Sequence, residues 1–343
     1  MKLPAITALK LSDNEWRAAG IDDEAARTSL ATCGFHWQRQ LADGSALYLR
    51  MPTVQEAAPS ALAAEVYAAL IAAEQAANKP RAAVKFMAIV NLSPDSFSDG
   101  GTFQESNEAL LAHCEQLVTD KADIFDLGAE STRPGAETID DQTQIKLLDN
   151  AMQVLGHLGI PLSIDTRSAV VAEHCLEKGA SMINDVSALS DPQMPAVIAK
   201  HNAQVVLMHS RGTSKTMHSM CDYKYLIGEI CDELAPRINL ALEAGIAPQN
   251  IIIDPGIGFA KDSVQNFEII KSLKAFRSLG FPVLAGPSRK SFISKVLPNL
   301  AASERDGASA GAASVCAFNG AEYLRLHCGG TNWDAVKIAQ ACS

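Results

Sequence analysis

The sequence predicts an α/β protein, a (β/α)8 TIM barrel with a small α+β extension at its N-terminus. Eight short runs rich in apolar and β-branched residues recur after residue 80, and each is followed by a polar or glycine-rich loop and a helical segment. Strands that are apolar along their whole length are buried on both faces, as in parallel sheets, and such barrels need roughly 250 residues. In chain order the runs are VKFMAIV, ADIFDLG, PLSID, ASMIND, AQVVLMH, NIIIDP, FPVLAG and AEYLRLH.

Polar residues stand at the carboxyl end of every predicted strand. TIM barrels carry their chemistry at that end of the strands. A doubly wound open sheet, which also alternates strands and helices, would not require polar groups at all of the strand ends. The pattern therefore favours the barrel, formed by residues 81–343. The strand-end residues are Asn91, Asp126, Asp165, Asn184, Asp185, His209, Asp254, Ser288, Arg289, Lys290, Arg325 and His327.

Residues 1–80 differ in character from the rest of the chain. The segment FHWQRQLADGSALYLRM alternates apolar and polar residues around an Asp-Gly turn, which predicts a β-hairpin. The segment PSALAAEVYAALIAAEQAAN is alanine-rich with helical spacing, which predicts a helix. NKPRAA then separates this extension from the barrel, and no motif in the extension indicates its role.

The composition argues against several classes of protein. Of the 343 residues, 48% are hydrophobic and 20% are charged, which is typical of a globular protein with a substantial core. The net charge of −10 argues against a nucleic-acid partner, because nucleic-acid surfaces concentrate lysine and arginine. Any anion that the protein binds must therefore meet a local cluster of cations.

No apolar run reaches the roughly 18 residues of a membrane span, and polar residues interrupt the opening MKLPAITALKLSDNEW before any cleavage site. We therefore expect a cytoplasmic protein without a membrane partner. The eight cysteines form no CxxC pair, so the spacing indicates neither a zinc site nor a disulfide framework. Buried, reduced thiols are expected instead.

Eight motifs, one at the end of each predicted strand, resemble those of the dihydropteroate synthases, a pterin-binding TIM-barrel family. They are IVNLSPDSFSDGG, DLGAESTRPGA, SIDT, INDVSAL, LMHSRGT, IIDPGIGFAK, GPSRKSF and LRLH, between residues 85 and 328. The resemblance implies a transferase of folate biosynthesis that joins p-aminobenzoate to 6-hydroxymethyl-7,8-dihydropterin pyrophosphate and releases pyrophosphate. It implies inhibition by sulfonamides, which imitate p-aminobenzoate, and we also expect a homodimer.

The resemblance assigns the pterin to Asp165, Asn184 and Asp254. A carboxylate accepts two parallel N–H bonds from the amino-pyrimidinone edge of a pterin, and an amide both donates and accepts. Two other interpretations stay open, since Asp165 precedes a helix as an N-cap does, and Asp254 precedes Pro-Gly as a turn aspartate does. Met208 and Phe259 resemble the apolar walls that enclose the ring, although both also suit a barrel core.

The pyrophosphate requires cations, and Lys290, Arg325 and His327 follow the last two strands, where TIM barrels commonly bind phosphate. Arg325 and His327 are two residues apart, so their side chains point to the same face of a strand. Taken singly, each of these residues, like Arg133, also suits a solvated surface. The resemblance implies that all four act in catalysis. Since the departing pyrophosphate leaves a cation that the dihydropterin delocalises, no activated nucleophile is required.

The resemblance also implies one Mg²⁺ ion, which prefers oxygen ligands and shares them with substrate phosphates, on the amide oxygen of Asn91. His209 is expected to be structural. Ala129 and Ala260 stand where the family has glycine, and Pro287 also departs from its pattern, so substrate affinity is the property most exposed to change. The residues implied to contact p-aminobenzoate are Phe97, Thr132, Arg133, Pro134 and Ser291.

Two other functions share parts of this pattern. A methyltransferase that passes a methyl group from methyltetrahydrofolate to a corrinoid has the same barrel and pterin edge, but it has no use for STRPGA, SRKS and the Arg-x-His pair. A catalytically silent pterin-binding paralogue would have lost Asn91, Arg133, Lys290 or Arg325, and the sequence keeps all four. The motifs therefore favour the synthase.

Overall fold

The structure, a computed structural model, describes residues 3, 8–12, 14–18, 20, 23–50, 63–92, 106–130 and 139–343. Its first elements are β1 (Leu9–Lys10), β2 (Glu15–Ala18), α1 (Glu24–Thr32), β3 (Phe35–Gln40), β4 (Ala46–Arg50) and α2 (Ala64–Ala77). The predicted hairpin, β3–β4, and the predicted alanine-rich helix, α2, are both present. Two strands that were not predicted extend the hairpin into an antiparallel sheet of order β1-β2-β4-β3.

The elements from β1 to α2, here called the N-terminal unit, enclose an apolar core of their own. Trp16, Phe35 and Tyr48 are fully buried in it, and the rings of Trp16 and Phe35 meet edge to face with their centroids 5.6 Å apart. Helix α2 covers this core with Val66 and Leu70. The division of the chain into two parts at residue 80 stays a prediction.

Eight parallel strands follow and confirm the predicted barrel. Their order around the sheet is β10-β9-β8-β7-β6-β5-β12-β11, and a parallel bridge between Ile253 and Val283 joins the two end strands. The strands are β5 (Lys85–Asn91), β6 (Ile124–Gly128), β7 (Leu162–Asp165), β8 (Met182–Asp185), β9 (Gln204–Met208), β10 (Ile251–Asp254), β11 (Leu284–Ala285) and β12 (Tyr323–Leu326).

Helices alternate with these strands and cover the outside of the barrel. Leu110 and Cys114 of the first of them, for example, are buried against the outward-facing side chains of the strands, including Phe86 and Phe125. In chain order the helices are α3 (Asn107–Thr119), α4 (Asp141–Leu155), α5 (Ala169–Glu177), α6 (Met194–His201), α7 (Leu226–Glu243), α8 (Ser263–Lys271), α9 (Leu273–Phe276), α10 (Asp306–Phe318) and α11 (Thr331–Ala341).

The inside of the barrel changes from apolar to polar within two residues along the strands. Successive side chains of a strand point to opposite faces, so every second residue points inward. One inward layer consists of Met87, Ile124, Met182, Val206, Ile252, Leu284 and Tyr323. The residues two positions further on are Ile89, Asp126, Asn184, Met208, Asp254, Gly286 and Arg325. Polar groups therefore gather at the carboxyl ends of the strands, above an apolar floor.

Two further expectations concern membrane contact and the thiols. Within the described ranges, none of the helices combines the length and apolar character that crossing a membrane requires. Five of the eight cysteines, at positions 33, 114, 175, 231 and 316, are buried. Burial raises the pKa of Cys114 and of Cys175 to about 12, so these thiols stay protonated and act as small apolar core residues.

Candidate active site

A fully buried carboxylate, Asp126 on β6, organises the polar layer at the barrel mouth. Arg325 Nε donates to Asp126 Oδ2 at 2.6 Å, and Asn184 Nδ2 donates to the same oxygen at 3.0 Å. The hydroxyl of Ser163 donates to Oδ1 at 2.7 Å. A charge that is buried this deeply must be paired and hydrogen-bonded, and the groups that satisfy Asp126 are thereby fixed in position.

Arg325 also binds Asp165, so one guanidinium is shared between two carboxylates. Its Nη2 donates to Asp165 Oδ2 at 2.8 Å. Burial raises the pKa of Asp165; the charge of Arg325 opposes this rise and that of Asp126 adds to it. Ser168, not Asp165, caps helix α5, its hydroxyl accepting from the N–H of Val171. The N-cap interpretation of Asp165 is therefore wrong, and its carboxylate belongs to the polar layer.

Asp254 takes part in a turn as well as in the site. The N–H of Gly256 donates to Asp254 Oδ1 at 2.7 Å, so the turn interpretation is confirmed for one of its two oxygens. The turn packs directly on the backbone of the β9 end: a Cβ at Gly256, whose φ is +71°, would lie 1.9 Å from the carbonyl oxygen of His209. Only glycine fits this position, which gives the Asp-Pro-Gly motif a physical reason.

A cavity of about 460 Å³ opens beside these groups and brings together three predicted pterin contacts, Asp165, Met208 and Phe259. The other two pterin residues lie on the adjoining strands, because the ladder sets Asn184 opposite Asp165 and Asp254 opposite Met208. Met208 is buried and also lines the cavity. The remaining lining comes from Glu130, from the loops after β7, β8 and β9, and from five residues of α7, namely Asp232, Glu233, Leu234, Pro236 and Arg237.

Lys290 and Arg325 approach each other across Gly286. A Cβ placed on Gly286 would lie 3.7 Å from the Cβ of Arg325 and 3.8 Å from the Nζ of Lys290. The ammonium of Lys290 lies 4.7 Å from the centre of the Phe259 ring and donates to the carbonyl oxygen of Ile257. Partial burial lowers the pKa of Lys290 to about 8, although the charge of Asp254 opposes this shift. Two predicted anion-binding cations therefore lie close together, and one of them, Lys290, contacts the Phe259 ring.

The predicted metal ligand, Asn91, lies at the end of β5, where the ladder pairs it with Gly128. A Cβ placed on Gly128 would be 3.7 Å from Asn91 Oδ1 and 3.8 Å from Asp165 Oδ2. The absence of a side chain at Gly128 thus leaves the Asn91 amide and the Asp165 carboxylate facing the same space.

The other predicted site residues are placed less closely. His327 follows β12, with its Nδ1 2.9 Å from the hydroxyl of Ser288. Ser291 is exposed at the start of a 3₁₀ helix, Ser291–Lys295, directly after Lys290. Four residues predicted on the loops after β5 and β6 lie outside the described residues; they are Phe97, Thr132, Arg133 and Pro134.

Beside the cavity lies a network of side chains that the sequence did not predict, and two of its members, His209 and Glu233, line the cavity. Lys261 Nζ lies 3.0 Å from His209 Nδ1 and donates to the carbonyl oxygen of Phe259 at 2.7 Å. His209 Nε2 lies 3.0 Å from Glu233 Oε2 on α7. Burial lowers the pKa of Lys261 to about 7 and that of His209 to about 4. His209 therefore stays neutral at pH 7, and its Nδ1 accepts a hydrogen bond from Lys261.

Ala260, one of the two positions where the family has glycine, adopts a φ of +50°. Alanine in this left-handed conformation costs about 1–2 kcal/mol. The hydroxyl of Tyr223 donates to the Ala260 carbonyl at 3.0 Å, and Lys261 holds the carbonyl of the preceding residue. These two hydrogen bonds keep the loop that carries Phe259 in its conformation despite the strain.

Comparison with known proteins agrees with this geometry. The sequence profile of the family described as "Pterin binding enzyme" matches residues 87–327. The chain is 42% identical over 258 residues to the dihydropteroate synthase of Synechocystis, a match that covers 75% of this chain and 87% of the relative. The chain therefore belongs to the pterin-binding enzyme family. Within that family it belongs with the dihydropteroate synthases, which are transferases of folate biosynthesis.

Solved structures give the same result. The dihydropteroate synthase of Yersinia pestis, solved with a sulfonamide drug complex, superposes with a TM-score of 0.72 at 31% identity, covering 76% of this chain and 94% of that one. The Xanthomonas albilineans enzyme, solved with 4-aminobenzoic acid, gives a TM-score of 0.69 at 36% identity, covering 78% and 94% of the two chains. The comparisons thus support the synthase over the corrinoid methyltransferase and the silent paralogue, and the family profile does not extend to the N-terminal unit.

Replacing Asp126 by asparagine should test its organising role, because the amide keeps the size of the side chain and removes its charge. Hydrogen bonds to charged groups contribute about 1.5–3 kcal/mol, so we expect kcat/KM to fall roughly 10- to 100-fold. Ser163→Ala, which removes one donor and leaves the carboxylate with its bonds from Arg325 and Asn184, is the matched control and should lower kcat/KM less than Asp126→Asn does. Steady-state kinetics on folded variants, verified by circular dichroism, make the comparison. Equal losses in both variants would contradict a role for the charge.

The lowered pKa of Lys290 predicts a pH dependence. Lysine binds an anion only while protonated, so kcat/KM, which reports the free enzyme, should be level below a pH of about 8 and fall above it. Lys290→Arg keeps the cation charged throughout this range. The falling limb of that variant should therefore shift to higher pH, whatever its maximal rate. An unchanged limb would assign the titration to another group.

Proposed function

We propose that this chain condenses p-aminobenzoate with 6-hydroxymethyl-7,8-dihydropterin pyrophosphate to give 7,8-dihydropteroate and pyrophosphate. The observation that carries the proposal is the shared network in which Arg325 joins Asp126 to Asp165 at the edge of the cavity. Acceptors for a pterin and cations for a pyrophosphate are thereby held by one set of contacts. The dihydropteroate synthase relatives support the same reaction.

Asp165, Asn184 and Asp254 are the proposed pterin ligands. Asn184 gives one amide N–H to Asp126, which turns its carbonyl oxygen and its second N–H toward a ring edge that carries both donors and acceptors. Asp254 has one oxygen held by the Gly256 turn, so its carboxylate is already oriented before a ligand binds. Met208 and Phe259 are the proposed apolar faces of the pocket.

Lys290, Arg325, His327 and Arg133 are the proposed ligands of the pyrophosphate. During the reaction the bond between the pterin methylene carbon and the pyrophosphate oxygen breaks. The amine nitrogen of p-aminobenzoate bonds to that carbon and then loses a proton. Because the leaving group carries the developing negative charge, cations placed around it lower the barrier more than a base would. Arg325 can donate to a phosphate only with the part of its fork that Asp126 and Asp165 leave free, so Lys290 supplies the unshared charge.

Mg²⁺ is the proposed metal, with Asn91 as its protein ligand. An amide oxygen together with water and phosphate oxygens suits Mg²⁺, which rarely uses an all-protein cage, and Asn91 Oδ1 faces the space next to Asp165. When bound, the ion supplies charge neutralisation on the leaving pyrophosphate. In the part of the chain that the structure describes, the group of acidic and histidine side chains with metal-ligand spacing, Glu173, Glu177 and His201, lies on the outer helices instead.

Phe97, Thr132, Arg133, Pro134 and Ser291 remain the proposed contacts of p-aminobenzoate. The sequence of the first two loops carries no insertion relative to the motifs that define the family, and Phe97 and Pro134 keep the family's residue types. A pocket that excludes sulfonamides while admitting p-aminobenzoate would need added bulk or a displaced loop. We therefore propose that the pocket also accepts sulfonamides.

Turnover by the purified full chain tests the proposed function directly. With both substrates and Mg²⁺ we expect dihydropteroate and pyrophosphate in equal amounts, measured by chromatography and a coupled phosphate assay. A simple sulfonamide should raise the apparent KM for p-aminobenzoate without lowering the maximal rate. Lys290→Ala and Arg325→Ala should still fold and lose most of the turnover, and Arg325→Ala should also be less stable because Asp126 and Asp165 lose their shared cation.

The alternatives give different results in the same assay. Methyl transfer from methyltetrahydrofolate to a corrinoid, with no dihydropteroate formed, would identify the methyltransferase. Pterin binding without any turnover would identify a silent paralogue. Normal turnover that a sulfonamide does not inhibit, at concentrations far above the KM of p-aminobenzoate, would retain the reaction and contradict the proposed shape of the pocket.

We also propose a cytoplasmic homodimer. Adjacent elements of the barrel, namely α8, the segment after Ser291–Lys295 and α10, carry exposed apolar side chains. A cluster of this kind is unusual on a monomer and typical of a contact surface. Free buried thiols suit a reducing compartment. The exposed side chains are Val264, Phe267, Val296, Leu297, Val315 and Phe318.

A charged double variant should separate the proposed dimer. Val264 and Val296 are 63% and 65% exposed, so Val264→Glu with Val296→Glu leaves the core intact and places four like charges in a two-fold interface. Analytical ultracentrifugation should show a dimer for the unaltered chain and a monomer for the variant. Val170→Glu on α5, where the side chain is 48% exposed and the helix packs on α4 and α6 instead of α8 or α10, is the control and should remain dimeric. A monomeric unaltered chain would reject the dimer.

A further inference from the structure

We infer that the N-terminal unit braces the wall of the substrate cavity through one ion pair between the buried Arg17 and the half-exposed Asp232, and that Arg17 is a positioning residue for the pterin substrate. The inference rests on the proposed function. Arg17 belongs to β2 in the N-terminal unit, outside the region that matches the family profile, whereas Asp232 belongs to α7 of the barrel. The contact therefore adds to the family site a support from outside it.

The guanidinium of Arg17 is satisfied from both sides of the junction. Its residue is 4% exposed. Nη2 donates to Asp232 Oδ2 at 2.7 Å and Nη1 to Asp232 Oδ1 at 3.4 Å, so the fork binds this carboxylate with two nitrogens. Nη2 also donates to Asp43 Oδ2 at 2.7 Å, and Nε donates to Ser45 Oγ at 3.0 Å. Because two carboxylates hold the planar guanidinium, it has a single orientation. The ammonium group of a lysine would not be fixed in this way.

The groups around Arg17 are built to hold it. Ser45 donates to Asp43 Oδ1 through its N–H at 3.0 Å and its hydroxyl at 2.6 Å. Burial tends to raise the pKa of Asp43, but the hydrogen bonds from Ser45 and Arg17 outweigh it and hold that pKa below its usual range. The aspartate therefore stays charged. The ring of Tyr225 lies 5.4 Å from the guanidinium carbon and covers another side of the fork.

Helix α7 has a glycine where Arg17 enters. A Cβ on Gly228 would lie 2.5 Å from Arg17 Nε and 2.4 Å from a ring carbon of Tyr225. Glycine inside a helix costs about 1 kcal/mol relative to alanine, and the close approach of Arg17 accounts for it here. Gly228 and Asp232 are four residues apart, so they lie on one face of the helix, and this face is the one that receives the N-terminal unit.

The neighbouring face of α7 holds the cavity wall. Glu233, next to Asp232, binds His209 at 3.0 Å, and Glu229, one turn earlier, binds Arg211 at 2.8 Å. Five residues of this part of α7 themselves line the cavity together with Asp165, Met208 and Phe259, namely Asp232, Glu233, Leu234, Pro236 and Arg237. A helix moves as one rigid element. A shift of α7 that releases Asp232 from Arg17 therefore also displaces Glu233, and this disturbs the contacts of His209 and Lys261 next to Phe259.

Position, more than stability, is what this ion pair provides. The Asp232 side chain is 44% exposed, so water screens its attraction to Arg17, and such a pair contributes only about 0–1 kcal/mol to the free energy of folding. The unit is attached elsewhere too: the N–H of Lys10 donates to Ser278 Oγ at 2.9 Å, and Arg277 donates to the carbonyl oxygens of Ala77 and Lys79 at 3.0 and 2.7 Å. Loss of the Arg17 charge should therefore leave the N-terminal unit docked on the barrel. It should remove only the contact with Asp232, so that α7 becomes more mobile.

Arg17→Met in the full chain tests the inference, since methionine keeps the apolar stem and removes the fork. We expect the KM and the Kd for the pterin pyrophosphate to rise about fivefold or more, while kcat and the KM for p-aminobenzoate change less than about twofold. Hydrogen exchange should rise in peptides from residues 226–243. Arg27→Met, whose guanidinium stacks 4.1 Å from the Trp37 ring centre within the same unit, is the matched control and should change none of these.

Asp232→Asn approaches the same pair from the barrel and keeps the test valid if Arg17→Met fails to fold. It should raise the pterin Kd in the same direction, and the double variant should show no more than the larger single effect, as expected for two residues that act as one contact. Equal pterin affinity of the unaltered chain and both single variants, or additive effects, would overturn the inference. Absence of turnover in the unaltered chain would overturn the proposed function alone, because calorimetric pterin binding does not depend on catalysis.

Discussion

The buried ion pair between Asp126 and Arg325 is the interaction on which the rest of the site depends. The two residues are 199 positions apart in the chain, and their strands, β6 and β12, flank β5 in the barrel. A carboxylate with no solvent exposure cannot be left unpaired without a cost of several kcal/mol, so barrel closure and the placement of Arg325 are coupled. Asp165 and Asn184 then take their orientations from the same two side chains.

Much of the fold follows from patterns that lie within single segments of sequence. Apolar strands bounded by polar loops predicted all eight barrel strands, and the alternation around Asp43-Gly44 predicted the β3–β4 hairpin. Strands β1 and β2 have two and four residues, too few to establish a period, and, unlike the equally short barrel strands, they do not belong to a recurring pattern of apolar run, polar loop and helix. Their place is set by the pairing of β2 with β4 and of β1 with β2, and the β2–β4 pairing is a tertiary contact.

The sequence predicted which residues belong to the site but not which of them contact one another. Inward-facing strand ends identified Asp165, Asn184, Asp254 and Arg325, but not which of them bind one another. Asp126 carried a signal, a charge within the apolar run IFDLG, which in a buried strand requires an internal partner. Lys261 and Glu233 could not be found in this way, because they lie 52 and 24 positions from His209 and only the fold brings them to it.

The closure of the barrel is uneven around its circumference, with a mechanical consequence. Strands β10 and β11 meet through the Ile253–Val283 bridge and the hydrogen bond from the Ile253 N–H to the Pro282 carbonyl, whereas β9 and β10 share a ladder of four residue pairs. Asp254 and Lys290 lie on opposite sides of this weakly paired junction between β10 and β11. In the proposed function the pterin end of one substrate binds on the β10 side of the junction and its pyrophosphate end on the β11 side, so the bound substrate connects the two strands. Part of the free energy of substrate binding then stabilises the closed barrel.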